Sequence, residues 1–174
     1  RREVLAPGDH VHLERLRNLG GADAELAEAE DAEGEPVEIH AAHGYLVAAF
    51  LSRYSNKRDD LYGGSLDNRM RFLRNIVSGI KASVAPDFLV LVRISAEEFV
   101  PDGLDVAETI EIGRRLKALG IAALSVSVGV YESFNKLSMV SGEAEGQWLT
   151  VAEAVRRGTA MPVIGVGRIK RGQV

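Results

Sequence analysis

Four short apolar stretches recur along the chain, separated by stretches whose apolar residues lie three and four positions apart. The apolar stretches cover residues 37–40, 88–95, 121–128 and 161–167. The second is apolar almost throughout, which is typical of a strand covered on both faces. In the segments between these stretches, the apolar residues have the spacing of amphipathic helices. The pattern therefore predicts strands that alternate with helices.

The predicted helices cover residues 45–52, 66–83, 106–119 and 150–157. Ser65 precedes the second helix and is a typical N-cap residue. Gly120 follows the third helix, a position where glycine commonly ends a helix in the left-handed conformation. Residues 134–146 are predicted to form a loop.

Units of strand plus helix, each about 40 residues long, indicate parallel strands joined by crossover helices. This is an α/β arrangement, compatible with four consecutive units of a (β/α)8 barrel of the TIM type. A complete barrel typically has about 250 residues, whereas this chain has 174. We therefore divide the chain into a leader, residues 1–36, and a partial barrel, residues 37–174.

The leader carries two candidate helices, residues 10–19 and 22–32. The second is rich in Ala and Glu and has little apolar face, so we expect the leader to be helical or poorly ordered. His10 and His12 lie in this polar segment. No cysteine or carboxylate pattern frames them as metal ligands, so we interpret them as solvated.

The composition bears on the class of protein. The net charge is −4, which provides no basic surface for nucleic acid. The chain has no apolar run long enough for a membrane span and no signal-peptide pattern. Cysteine is absent, which excludes disulfides and thiolate metal sites within this chain and is compatible with the cytoplasm. The first residue is Arg, so we expect a fragment or a processed chain.

Three polar side chains lie within six positions at the end of the first predicted strand, namely His40, which ends it, and His43 and Tyr45, which follow it. The end of a strand is where α/β enzymes commonly place their catalytic residues. A single such histidine is about as often a hydrogen-bonded core residue. Two histidines and a tyrosine together favour a functional site, because each would need its own partner if buried.

Arg93 interrupts the second apolar strand near its carboxyl end. A buried guanidinium is costly unless it is paired. Arg93 therefore indicates either a bound anion or polarised ring edge, which we favour, or an internal salt bridge.

The segment 165–170 resembles a dinucleotide fingerprint but lacks its last glycine and the acidic residue that follows. A phosphate-binding loop after a barrel strand, formed by Gly167 and Arg168, is a better interpretation.

Arg69 and Arg71 lie close in sequence to three aspartates, Asp59, Asp60 and Asp67. We interpret this group as a structural brace of ion pairs across the loop, in preference to a ligand site.

The longest motif runs without gaps from His40 to Phe72. It resembles the old yellow enzyme family, and especially its 2,4-dienoyl-CoA-reductase-like branch. The matching residues are His-Ala-Ala-His-Gly-Tyr-Leu at 40–46, Phe-Leu-Ser at 50–52, Asn-Lys-Arg at 56–58, Tyr-Gly-Gly-Ser at 62–65 and Asn-Arg-Met-Arg-Phe at 68–72. The strings Gly-Val-Tyr-Glu-Ser at 129–133 and Gly-Arg-Ile at 167–169 extend the resemblance.

The resemblance implies that the chain covers strands four to seven of a barrel that binds FMN and uses NADH or NADPH as reductant. The implied reaction is reduction of the activated C=C bond of an α,β-unsaturated carbonyl or an enoyl or dienoyl compound. His40 and His43 would bind the substrate oxygen, and the phenol of Tyr45 would donate a proton. Arg93 would contact the flavin ring, and Gly167 with Arg168 its phosphate.

Two alternatives stay open. The chain could be a truncated barrel segment without activity that serves in assembly or interaction, since the other four strands of the barrel are missing from it. It could also be a phosphate-sugar-binding barrel of another family, although this leaves His40, His43 and Tyr45 unexplained. We further expect a small-molecule substrate and a homo-oligomer. A yellow colour of the purified chain would favour the flavin enzyme.

Overall fold

The computed structural model describes residues 35–137 and 144–170. Within these ranges four strands form one parallel sheet in the order β1-β2-β3-β4. The strands are β1 (Val37–Ala41), β2 (Val90–Ser95), β3 (Ala123–Ser127) and β4 (Val163–Gly165). All four predicted strands are present, each beside its predecessor in sequence. The two leader helices that we predicted lie outside the described residues.

Helices connect successive strands. They are α1 (Leu46–Leu51), α2 (Leu66–Arg69), α3 (Arg71–Lys81), α4 (Val106–Ala118), α5 (Phe134–Leu137) and α6 (Leu149–Thr159), with a 3₁₀ turn at Tyr131–Ser133. The predicted loop at 134–146 is wrong at its start, where α5 forms. Gly120 has the expected left-handed conformation, with φ of 78°.

The predicted helix 66–83 is broken at Met70 into α2 and α3. Ser65 caps α2 as expected, because its Oγ accepts a hydrogen bond from the Asn68 N–H at 3.3 Å. Met70 is fully buried and packs in the core together with Leu73 and Val77 of α3. The short helix α2 and the longer helix α3 therefore pack against the same apolar core on either side of Met70.

One face of the sheet builds the core. Val92 and Ile94 of β2 and Leu124 and Val126 of β3 are buried in one apolar cluster with residues of the helices. Successive side chains of a strand point to opposite faces. The other face therefore carries the remaining positions, which include Glu38, His40, Arg93, Ser95, Ser125 and Ser127.

The predicted brace exists, but its partners differ from those expected. The Arg69 guanidinium is only 2% exposed and binds the carbonyl oxygens of Leu51 and Gly64 and, at 2.5 Å, a carboxylate oxygen of Glu108. Glu108 lies on α4, which is remote in sequence from the predicted aspartates. The pairing prediction was wrong because tertiary packing brings α4 against α2.

Two of the three predicted aspartates have other partners. Asp60 pairs with Arg58, and Asp67 pairs with Arg115 of α4 at 2.8 Å. Arg71 donates to the carbonyl oxygen of Leu61 at 2.7 Å. These charged groups therefore hold the loop after α1 and tie α2 to α4.

A search of residues 35–137 and 144–170 for a helix with the length and apolarity that a bilayer span requires found none.

Candidate active site

The carboxyl ends of parallel strands meet at one edge of a sheet, and the predicted site residues lie at this edge. His40 is in β1, and His43 and Tyr45 follow it directly. The Cα of His40 pairs with that of Arg93 in the register of β1 and β2. An imidazole and a guanidinium thus share one face of the sheet.

The structure brings the three predicted rings together. The centroids of the His40 and His43 rings are 5.3 Å apart, and those of His40 and Tyr45 are 5.2 Å apart. His40 and Tyr45 are exposed, and His43 is half-buried. Two imidazoles and a phenol therefore form a single cluster that a small molecule can reach.

The turn between His40 and Tyr45 has an unusual backbone. His43 has φ of 61° and Gly44 has φ of 78°, so two consecutive residues are left-handed. Glycine adopts this conformation without strain, and histidine does so more readily than most residues. The His43 N–H donates to Ser95 Oγ at 2.9 Å, which anchors the turn to the end of β2.

The His43 ring is anchored separately. Its Nε2 lies 2.7 Å from Oγ of Ser127, at the end of β3. The Ser95 hydroxyl in turn donates to the carbonyl oxygen of Gly129 at 2.9 Å. His43 is therefore held through its backbone by one serine and through its ring by another.

Both imidazoles titrate below their ordinary range. Burial lowers the pKa of His43 to about 4, with further lowering by the Arg93 guanidinium and by His40. The pKa of His40 is also lowered, by burial first and then by Arg93, while Glu38 acts in the opposite direction. His43 is consequently a neutral imidazole at neutral pH.

Arg93 is less buried than predicted for a strand that is covered on both faces. Its side chain is 33% exposed, and Nη1 lies 3.9 Å from Oε1 of Glu38, a long ion pair. Its Nε is buried, however, and has no hydrogen-bond partner within the described residues. A buried N–H donor without a partner is costly, so Arg93 has hydrogen-bonding capacity that the described residues do not use.

Gly167 and Arg168 follow β4 and so lie at the same edge of the sheet. Gly167 has φ of 123° and Arg168 has φ of 44°. Two residues further on, the Lys170 N–H donates to Oε1 of Glu145 at 2.6 Å. The Lys170 N–H is therefore occupied by a carboxylate of the same chain, and the binding of a phosphate by Gly167 and Arg168 stays a prediction.

Sequence reasoning missed three residues of this region, namely Glu38, Ser95 and Ser127. Ser95 is the last residue of a predicted strand and Ser127 the last but one of the next, and Ser95 pairs with Ser127 in the register of β2 and β3. This position at strand ends was the available signal. Glu38 could have been found from its place two residues before His40, on the same face of β1.

Within the described ranges, three or more His, Cys, Asp or Glu side chains nowhere come together in a way that could hold a metal ion.

Comparison with known proteins identifies the family. The sequence model of the NADH:flavin oxidoreductase / NADH oxidase family matches residues 23–174. The chain belongs to this family. The predicted family is thereby confirmed.

Several curated relatives are similar over most of this chain. An NADH oxidase of Thermoanaerobacter brockii is 39% identical over 82% of this chain and 22% of its own length. An NADPH dehydrogenase of Bacillus subtilis is 37% identical over 85% of this chain and 42% of its own length. A cinnamate reductase of Clostridium sporogenes is 35% identical over 86% of this chain and 24% of its own length. The chain thus spans less than half of the length of each of these relatives.

Solved structures show the same fold. A 2-naphthoyl-CoA reductase in complex with 2-naphthoyl-CoA superposes with a TM-score of 0.74 and 30% identity, over 98% of this chain and 25% of its own. An old yellow enzyme homologue from Zymomonas mobilis has a TM-score of 0.57 and 25% identity, over 94% of this chain and 43% of its own. The predicted fold, part of a TIM barrel of the old yellow enzyme type, is confirmed, and the likeness to the reductase supports the predicted branch.

Proposed function

We propose that the protein is an NAD(P)H-dependent flavin oxidoreductase that reduces the activated C=C bond of an α,β-unsaturated carbonyl or enoyl compound. This chain would contribute the residues that polarise the substrate and protonate it. The observation that carries the proposal is the convergence of His40, His43 and Tyr45, with ring centroids 5.2 and 5.3 Å apart, beside Arg93.

The residues present fit FMN. The unpartnered Nε of Arg93 can donate to the polar edge of a flavin ring. The loop of Gly167 and Arg168 can hold a phosphate through backbone N–H groups. When bound, FMN supplies the hydride after its reduction by NADH or NADPH.

His40 and His43 would act on the carbonyl oxygen of the substrate. Adding a hydride to the β-carbon moves the π electrons toward this oxygen, which becomes enolate-like. Two N–H donors fixed in place stabilise such an oxygen more than mobile water does. Because the pKa of His43 is lowered to about 4, this residue donates as a neutral imidazole.

Tyr45 would complete the reaction. The α-carbon of the enolate-like species needs a proton, and the Tyr45 O–H can deliver it as a general acid. The substrate thus gains a hydride at the β-carbon and a proton at the α-carbon. Tyr45 is 60% exposed and contacts His40, so its hydroxyl can reach a molecule that both histidines bind.

The names of relatives agree with this chemistry. An NADPH dehydrogenase and an NADH oxidase indicate a nicotinamide reductant, and a cinnamate reductase indicates a conjugated substrate. These activities belong to proteins longer than this chain. Their extension to the present protein is therefore part of the proposal.

The experiment is reconstitution with FMN, followed by absorbance measurements of NADH and NADPH oxidation with cyclohexenone. We expect a yellow protein whose enone reduction falls strongly in the double variant of His40→Ala and Tyr45→Phe. Tyr54→Phe is the matched control, because Tyr54 lies on the loop after α1 and has no ring contact with either histidine. Full activity of the double variant would refute the assigned roles.

A second candidate is an inactive barrel segment that serves as an assembly piece. Within the described residues β1 and β4 each have only one neighbouring strand, which leaves two sheet edges to be covered. Size-exclusion chromatography combined with flavin absorbance separates the candidates. A colourless chain that exists only as aggregates or obligate oligomers would support the second candidate.

A further inference from the structure

Two serine hydroxyls at the ends of β2 and β3 converge on His43. Ser95 and Ser127 are neighbours in the strand register and are 1% and 8% exposed. Ser95 Oγ lies 2.9 Å from the His43 backbone nitrogen, and Ser127 Oγ lies 2.7 Å from Nε2 of its ring. Buried hydroxyls of this kind are expected to make specific hydrogen bonds.

The hydrogen of the Ser95 hydroxyl has a defined place. Ser95 Oγ donates to the carbonyl oxygen of Gly129 and accepts from the His43 N–H. The Ser95 hydroxyl thus bonds only backbone groups of the described residues. Ser127 is the serine that contacts the His43 ring and can affect its orientation and its tautomer.

A neutral imidazole has one N–H donor and one bare acceptor nitrogen. In His43, Nε2 is already engaged with Ser127, and no described residue bonds Nδ1. Nδ1 is therefore the nitrogen left for a ligand. It can donate only if it carries the proton, and this requires Nε2 to accept the hydroxyl hydrogen of Ser127.

We propose that Ser127 is a positioning residue that holds His43 in the tautomer with the proton on Nδ1, while Ser95 fixes the backbone from which the ring projects. The proposal rests on the proposed function, in which His43 donates to the substrate oxygen. In the other tautomer a lone pair on Nδ1 would face the developing negative charge and repel it.

The test uses the full chain without flavin, so its outcome does not depend on activity. With ¹⁵N-labelled histidine, protonated and bare ring nitrogens resonate far apart, which identifies the tautomer directly. The chain has four histidines, and the spectrum of His43→Gln assigns the signals. We expect wild type to show a protonated Nδ1 and Ser127→Ala to lose this preference.

Matched variants separate positioning from general destabilisation. Ser127→Thr keeps a hydroxyl and should retain the wild-type tautomer. Ser133→Ala is the control, because the buried Ser133 hydroxyl bonds the Glu98 carbonyl and does not contact His43. It should change thermal stability without changing the tautomer.

Three results would overturn the proposal: a proton on Nε2 in wild type, an unchanged tautomer in Ser127→Ala, or the same loss of preference in Ser133→Ala. In flavin-loaded protein that is active, we expect Ser127→Ala to lower kcat for an enone about tenfold, the effect of one hydrogen bond, and Ser127→Thr to restore it. An inactive wild type with the predicted tautomer would refute the proposed function and leave the hydrogen-bond assignment intact.

Discussion

The Cα of His40 lies directly opposite that of Arg93 across β1 and β2, so a permanently charged guanidinium stands beside an imidazole. The neighbouring Glu38 lies 3.9 Å from Arg93 and partly offsets its charge. Arg93 therefore acts electrostatically on both imidazoles of the candidate site, because it also lowers the pKa of His43.

Replacing Arg93 should raise the pKa of both histidines. In Arg93→Met the stem of the side chain is kept and the positive charge is lost, so each imidazolium is repelled less. The rise should be partial, because burial is the larger cause of both depressions. A pH titration of the imidazole protons by NMR measures it.

Arg71→Met is the matched control for this titration, since Arg71 is not among the groups that affect either histidine. Unchanged histidine pKa values in Arg93→Met would contradict the electrostatic interpretation of the pair.

His43 should make the folded state less stable as the pH falls. An unfolded histidine has a pKa of about 6.5, and the folded pKa is about 4. Between these values the unfolded chain binds the proton and the folded chain does not, so the free energy of unfolding falls as the pH falls. Urea denaturation at several pH values should show a shallower decline in His43→Gln than in wild type. Parallel declines would be inconsistent with the assigned shift.

Arg69 should be a major contributor to stability. Its guanidinium is 2% exposed, and its removal in Arg69→Ala leaves two carbonyl groups without this donor and the Glu108 carboxylate with only the longer 3.6 Å contact from Arg53. Breaking a buried pair in this way costs about 3–5 kcal/mol. The control Arg74→Ala, which removes an exposed contact of 3.8 Å to Asp67, should cost less than about 1 kcal/mol. Equal losses in chemical denaturation would disprove the special role of Arg69.

Two helical glycines should respond in opposite directions to alanine. A Cβ at Gly113 of α4 would lie 2.5 Å from a methyl group of Thr159 and 3.0 Å from Leu124, so Gly113→Ala should force α4 and α6 apart. Overpacking of this kind costs about 1–3 kcal/mol. A Cβ at Gly79 of α3 meets nothing within 4 Å. Gly79→Ala should therefore stabilise the protein by about 0.5–1 kcal/mol.

Thermal unfolding of both variants, measured side by side, checks the sign of each effect. A stabilised Gly113→Ala variant would show that α4 and α6 do not pack as closely as described.

Local sequence determined the elements and most of the candidate site. Strands and helices could be predicted from the spacing of apolar residues, because this spacing reflects which face each element buries. His40, His43 and Tyr45 lie within six positions of one another, so one strand end and one turn suffice to bring them together. The capping role of Ser65 and the left-handed Gly120 are equally local.

The remaining features depend on contacts between residues far apart in sequence, and only the tertiary structure decided them. Ser127 reaches the His43 ring across 84 positions, and Glu108 reaches Arg69 across 39. Such pairings follow from strand register and helix packing, which no pattern of neighbouring residues encodes. For the same reason the sequence predicted a charged brace but not its partners, and two histidines but not the serines that hold one of them.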